Sequence, residues 1–94
     1  MDIVRSDIVK STAGRDKGKF FFVLAEEEDV LLLADGKTRK LENPKRKKRK
    51  HTEFAARYQC RVAEKIRSDE KITNSELRKT LAIFGEEGNP DQEG

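Results

Sequence analysis

The chain contains few of the residues from which large cores, disulfides and metal centres are built. Its 94 residues include no tryptophan, one cysteine, one histidine and two prolines, and aromatic residues amount to 6%. Hydrophobic residues make up 34%, against about 45–50% in a typical globular chain. A single cysteine cannot form an internal disulfide, and with a single histidine it cannot complete a Cys/His zinc site. These shortages exclude a large buried core and predict one small domain in a reducing, cytoplasmic compartment.

Long hydrophobic runs are also missing. The longest are residues 20–25 and residues 30–34, far shorter than the about 18–20 residues of a membrane-spanning helix. The first residues include no apolar stretch of signal-peptide length. We therefore expect neither membrane association nor export.

Charge, in contrast, is plentiful and unevenly distributed. Charged residues make up 41% of the chain, and the formal net charge is +3. Residues 1–51 carry 14 Lys or Arg against 9 Asp or Glu, whereas residues 52–94 carry 7 against 9. Six consecutive cations occupy residues 45–50. Because these side chains offer little apolar surface for a core, we expect that removing their charge leaves the fold intact. Such a block predicts a polyanionic partner, with a solvated surface or a nuclear localisation signal as alternatives.

The first half of the chain has the pattern of short β-strands. Runs of β-branched, aromatic and aliphatic residues cover residues 8–12, 19–25 and 30–34, and residues 39–41 predict a further strand before Pro44. Short strands so close together bury a face only if the sheet curls on itself, so we expect a small barrel. Alternation along the second run predicts that Phe21 and Val23 point inside.

Two turn signals separate these runs. Residues 13–18 form a polar segment with a glycine near each end, and Asp35-Gly36 is a hairpin dipeptide that tolerates positive φ. Asparagine also tolerates that conformation, so Gly36→Asn is expected to be mild.

The second half has a helical pattern. Residues 73–76, TNSE, have capping-box spacing, and Gly85 can end the helix that they begin. The acidic residues 86–94 are expected to be disordered. An earlier helix is predicted from apolar residues that recur every four positions: Phe54, Tyr58, Val62 and Ile66. This helix is expected to cover Phe20 and Phe22, and the alternative is that these two rings stack on unpaired bases.

Three segments in order carry a resemblance to a known family. Residues 7–19, DIVKSTAGRDKGK, resemble the KOW motif, in which a Gly-x-x-Lys-Gly loop separates two strands. Residues 34–41, ADGKTRKL, with Pro44-Lys45 and Lys50-His51, and residues 73–79, TNSELRK, are similar to small bacterial KOW-domain RNA-binding proteins. These in turn are similar to KOW-containing large-subunit ribosomal proteins of archaea and eukaryotes. The resemblance implies an SH3-like barrel that binds RNA, ribosomal RNA in particular.

We therefore predict a mainly β chain: a KOW-type, SH3-like barrel over residues 1–52 that ends in a basic segment, a helical extension over 53–84 and a disordered acidic tail over 85–94. The residues expected to shape the loops are Gly14, Asp16, Gly18, Asp35 and Gly36. The candidate RNA-binding residues are Arg15, Lys17, Lys19, Arg39, Lys40, Lys45, Arg46, Lys47, Lys48, Arg49, Lys50 and His51.

No catalytic or metal-binding pattern is apparent. His51 and Cys60 lack a third orienting group, and on one helix their spacing would place them on opposite faces. The acidic residues 26–29 lack the spacing of a calcium loop, and the P-loop pattern is absent. We expect no enzyme activity, cofactor, metal or small-molecule substrate.

Two alternatives to an RNA-binding protein remain open. The capped helix and acidic tail could form a surface that docks on ribosomal or transcription proteins. The chain could also act as a nucleic-acid chaperone through charge alone, in which case unrelated RNA and duplex DNA would bind equally well.

Overall fold

A computed structural model describes residues 2–87 as a small mixed α/β domain, in which a five-stranded antiparallel sheet is followed by two helices. The strands are β1 (Ile8–Ser11), β2 (Phe20–Glu26), β3 (Val30–Ala34), β4 (Lys45–Lys48) and β5 (Thr52–Ala56). The helices are α1 (Arg61–Arg67) and α2 (Asn74–Glu87), and a 3₁₀ turn (Arg49–His51) joins β4 to β5. None of the helices within the described range is long and apolar enough to cross a membrane.

The strand order in the sheet is β4-β3-β2-β1-β5. The 3₁₀ turn therefore connects two strands that lie at opposite edges. Four peptide units from Lys48 to Thr52 reach about 14 Å at most, whereas the edges of a flat five-stranded sheet lie about 19 Å apart. The sheet must therefore be strongly curled. Register shifts in the β1–β5 pair at Ile8/Val9 and in the β2–β3 pair at Val23/Ala25 allow the bend.

The expected closed barrel is nevertheless wrong, because β4 and β5 form no ladder with each other in the part of the chain that the structure describes. The backbone between them makes other hydrogen bonds. The Arg49 amide donates to the Asp29 carbonyl at 2.8 Å, and the Thr12 amide donates to the His51 carbonyl at 2.9 Å. These bonds hold the connection as a 3₁₀ turn, so the curled sheet remains open.

Alternation along the strands gives the sheet two apolar faces. Phe21 and Val23 are fully buried on the inner face, which confirms the prediction from the sequence. Phe22 faces the other way and is buried beneath the helices. The inner cluster comprises Val9, Phe21, Val23, Leu31 and Leu33, and the outer cluster comprises Ile8, Phe22, Ala34, Val62, Ala63, Ile66, Leu77 and Phe84.

The predicted helix through Phe54 and Ile66 is wrong in its first half. Phe54 lies in β5 opposite Val9 of β1. The backbone hydrogen bonds of this segment are therefore made with a distant strand and not within a helix, as the four-residue repeat had predicted. Helix α1 begins only at Arg61, and the helical extension predicted over residues 53–84 therefore contains a strand. The expected cover over Phe22 is present, but both α1 and α2 supply it.

The connection between β3 and β4 also differs from expectation. Residues 39–41 form no strand, because the Asp35 carboxylate accepts hydrogen bonds from the Lys37 and Arg39 amides at 2.9 and 2.8 Å and folds the segment into a local turn. Strand β3 instead pairs with the basic run, whose first four residues are β4.

Helix α2 begins with the predicted capping box. The Thr73 amide donates to Glu76 Oε1 at 2.9 Å, and the Glu76 amide donates to Thr73 Oγ1 at 3.1 Å. The prediction that the helix ends at Gly85 is wrong, since α2 continues to Glu87. The predicted disordered tail thus includes three helical residues, and its remainder, residues 88–94, lies outside the described residues.

Candidate nucleic-acid interface

The six consecutive cations do not form one uniform surface. In β4, Lys45 lies opposite Leu33 and Lys47 lies opposite Leu31, so these two lysines share the inner face of the sheet. The alternate residues, Arg46 and Lys48, point to the other face. Pairing with β3 therefore divides the run into inward and outward cations.

The inward cations converge on Asp16 in the β1–β2 loop. Lys47 is only 8% exposed, and its Nζ lies 3.0 Å from Asp16 Oδ1 and 2.8 Å from the Ala13 carbonyl oxygen. Lys45 Nζ lies 2.9 Å from Asp16 Oδ2, and Ser11 Oγ donates to Asp16 Oδ1 at 2.7 Å. Burial opposes ionisation of Asp16, but the hydrogen bonds from Lys45, Ser11 and Lys47 outweigh it and hold the pKa of this carboxyl well below its usual range. The cluster fastens the β1–β2 loop to β4.

Arg49 also has a structural role. Its guanidinium donates to the carbonyl oxygens of Glu28 and Ile3, each at 3.0 Å, and lies 3.5 Å from Glu26 Oε1. The Arg46–Glu27 ion pair, at 2.9 Å, is exposed on both sides and is of the kind that contributes little to stability. The expectation that discharging all six cations leaves the fold intact is therefore wrong for Lys45, Lys47 and Arg49.

Lys48 and Lys50 are different, because both are exposed and neither makes an ion pair within residues 2–87. With Asp29 and Arg49 they line a cleft of about 300 Å³. Both side chains are free to neutralise phosphates without losing a contact inside the protein.

The β1–β2 loop presents a second group of exposed cations. Arg15, Lys17 and Lys19 are exposed and make no side-chain ion pair in the described structure. Backbone hydrogen bonds close the loop, among them those from the Gly18 amide to the Ser11 carbonyl at 2.8 Å and from the Ser11 amide to the Lys19 carbonyl at 2.9 Å. The fastened loop therefore displays three cations whose charge is available to a partner.

The remaining candidate residues occupy other places. His51 is half-buried, and its carbonyl bonds the Thr12 amide at the base of the β1–β2 loop. Lys40 is exposed and Arg39 is half-buried in the β3–β4 connection, where the Arg39 amide donates to the Asp35 carboxylate. Burial opposes ionisation of Asp35, but hydrogen bonds from Arg39, Lys37 and Thr38 lower the pKa of its carboxyl.

Glycine is favoured at the three predicted loop positions for different physical reasons. Gly18 has φ of +92°, but a Cβ there would meet nothing within 4 Å, so the backbone conformation alone favours glycine. Gly36 has φ of +78°, and a Cβ there would overlap the backbone of Asn74 and approach the amide of Arg78 in α2. The expectation that Gly36→Asn is mild is therefore wrong. Gly14 has φ of +85°, and a Cβ there would lie 3.6 Å from Lys47 Nζ, which is an ordinary contact.

One ion pair between a buried carboxylate and an exposed arginine was not anticipated from the sequence. Asp7 is fully buried, and Arg57 donates to its two carboxylate oxygens at 2.9 and 3.1 Å. The hydrogen bonds and charge of Asp7 raise the pKa of Arg57. The partners lie fifty residues apart in the chain, so no local pattern could have indicated the contact.

Among residues 2–87, no group of three or more His, Cys, Asp or Glu side chains could hold a metal ion. Cys60 caps α1, where its Sγ accepts the Ala63 amide at 3.5 Å.

Comparisons with known proteins add no assignment. No protein-family model matches the chain, and no curated protein matches it. The KOW resemblance therefore depends on the quoted sequence segments alone.

Proposed function

We propose that this chain is a non-catalytic, cytoplasmic RNA-binding protein that binds ribosomal RNA. The observation that carries the proposal is a separation of roles among its cations. Lys45 and Lys47 fasten the β1–β2 loop to β4, and Arg49 ties the 3₁₀ turn to the carbonyl oxygens of Ile3 and Glu28. In the β1–β2 loop and the basic run, five others are exposed and make no ion pair within residues 2–87: Arg15, Lys17, Lys19, Lys48 and Lys50.

The mechanism is electrostatic docking on a fixed surface. Each exposed cation that neutralises a phosphate releases a counterion, and this release supplies affinity. Arg15 can hold a phosphate with two parallel hydrogen bonds, whereas the lysines act as point charges. Because Asp16 fastens the β1–β2 loop to β4, these cations keep their relative positions, and the surface can respond to the shape of a structured RNA.

The KOW-type, SH3-like relationship is part of this proposal, in a form whose sheet remains open. One feature supports it: β1 and β2 are joined by the Gly-x-x-Lys-Gly loop, whose glycines at residues 14 and 18 both have positive φ. Arg39 and Lys40 in the β3–β4 connection and His51 in the 3₁₀ turn remain predicted RNA contacts.

The double variant Lys48→Gln/Lys50→Gln should weaken binding to a structured ribosomal RNA fragment and keep the wild-type melting temperature. If both lysines contact phosphates, the slope of log affinity against log salt should flatten by about 1.4–1.8. The measurement is fluorescence anisotropy with labelled RNA at a series of salt concentrations.

The matched control is Lys71→Gln/Lys79→Gln, which removes the same charge from exposed positions outside this surface. Equal slopes for the two double variants would contradict the proposed surface. Equal wild-type affinity for duplex DNA would favour the charge-driven chaperone, and binding to ribosomal proteins without RNA binding would favour the interaction module.

A further inference from the structure

A second cationic feature lies where the sheet meets α2. A groove of about 440 Å³ is lined by Phe20, Leu81 and Ala82 together with polar residues from three segments of the chain. This volume is within the range of small-molecule sites. The polar lining residues are Lys19, Asp35, Lys37, Thr38 and Arg78.

The apolar part of the groove includes an aromatic ring held in place by its neighbours. Phe20 is half-buried and packs edge-on against Phe84, with ring centroids 5.3 Å apart. Lys10 Nζ lies 6.0 Å from the centre of the same ring. The ring therefore has a defined position at a surface that stays open to a ligand.

The rim of the groove favours an anion. Lys19, Lys37 and Arg78 are exposed and make no ion pair within residues 2–87. Asp35 is the only acidic lining residue among those described, and its oxygens already accept from the Lys37 and Arg39 amides and from Thr38 Oγ1 at 2.7 Å. Three cations without ion pairs in the described structure thus surround the apolar part of the groove. The Asp35 carboxylate beside them is already hydrogen-bonded within its own turn.

We propose that this groove binds one unpaired nucleotide of an RNA, with the base against Phe20 and Leu81 and the flanking phosphates at Lys19, Lys37 and Arg78. Unpaired bases that leave their stack are commonly received by aromatic side chains beside cations. Lys19 directly follows Gly18, so the groove continues from the loop in the proposed RNA surface. The inference rests on the proposed function and extends it: α2 takes part in binding, and single-stranded RNA is distinguished from duplex.

The test compares two neighbouring residues of α2. Arg78 lines the groove, whereas Lys79 is equally exposed and does not. Arg78→Gln should weaken binding to a short single-stranded uridine RNA by about fivefold and flatten its salt slope by about 0.7. Binding to a short RNA duplex should change by less than about twofold. Lys79→Gln should leave the affinity for both probes unchanged.

A second variant fills the groove without changing charge. Ala82→Leu, at an exposed helical position, should weaken binding to the uridine RNA and leave both the duplex affinity and the melting temperature unchanged. Because leucine is a good helix former, loss of helicity does not confuse the result.

The possible outcomes separate this inference from the proposed function. If Lys17→Gln weakens RNA binding while Arg78→Gln and Lys79→Gln behave alike, the groove is not an RNA site and the proposed function stands. If Arg78→Gln weakens duplex and single strand equally, the unpaired-nucleotide assignment is wrong. If the wild type binds neither these two probes nor the structured ribosomal RNA fragment, both proposals fail. If an acidic amphipathic peptide binds in an Arg78-dependent way and RNA does not, the groove docks protein instead.

Discussion

Asp16→Ala is expected to destabilise the domain by about 2–3 kcal/mol, although residue 16 lies in a surface loop. The substitution leaves Lys47, which is 8% exposed, without its carboxylate partner, and removing one member of a buried pair typically costs about 3–5 kcal/mol. We expect a smaller loss of stability here because Lys45, the second cation paired with Asp16, has a side chain that is 25% exposed to solvent. A domain of this size has a total stability of about 5–15 kcal/mol, so thermal melting should show a fall of about 10 °C or more.

The control is the double variant Asp16→Asn/Lys47→Met, which removes both buried charges and keeps similar volumes. Replacing a complete buried pair with neutral groups is far less costly than breaking it, so the double variant should recover most of the stability lost in Asp16→Asn. Additive losses in this double-mutant cycle would contradict a direct coupling between the two side chains.

The same carboxylate predicts an acid dependence of stability. The folded state holds the pKa of Asp16 below its unfolded value, which is about 3.9. Its contribution is therefore complete above that pH and declines as the pH falls below it. Between about pH 5 and pH 2, the wild type should lose more stability than Asp16→Asn, as measured by urea unfolding. Parallel pH profiles would mean that Asp16 gains nothing from ionisation in the folded state.

Among the described glycines, Gly36 is expected to tolerate alanine least, and Gly36→Ala should cost about 3 kcal/mol or more. Alanine at positive φ costs about 1–2 kcal/mol, and the new methyl group would in addition overlap the backbone of Asn74 at the start of α2. Overpacking of this kind typically adds about 1–3 kcal/mol. Since α2 supplies Leu77 and Phe84 to the outer core, the helix cannot move away freely.

Gly18→Ala is the matched control for the conformational part of that loss. Gly18 has a similar positive φ, of +92°, but open space where the Cβ would lie, so its loss should be only about 1–2 kcal/mol. Chemical denaturation of both variants measures the difference. Equal losses would show that contact with α2 contributes nothing at Gly36.

The elements that could be predicted from the sequence are those whose signal is local. β2 and β3 follow from aromatic and aliphatic runs, and the alternation in β2 predicted Phe21 and Val23 inside. The capping box predicted the start of α2, since its two hydrogen bonds join residues only three apart. The exposed cations of the β1–β2 loop could likewise be proposed from a short glycine-containing segment.

The elements that were missed depend on contacts between distant residues. Lys45–Lys48 has no intrinsic preference for a strand, and it becomes β4 because Leu31 and its neighbours in β3 offer an unpaired edge. Phe54 fits a helical repeat, but pairing with β1 decides its conformation. The division of the basic run into structural and exposed cations depends on Asp16, which is about thirty residues away in sequence.

The sequence by itself determined the small size of the domain, its strongly charged surface, most of its strands, the cap of α2 and the positive φ at its loop glycines, because each depends on composition or on neighbouring residues. Only the tertiary structure decided that the curled sheet stays open, that Lys47 is a buried structural cation, that Gly36 lies against α2, and that Phe20 and Arg78 share one groove. These outcomes follow from which surfaces meet when the chain folds, and pairing between distant segments carries no signature in any short stretch of sequence.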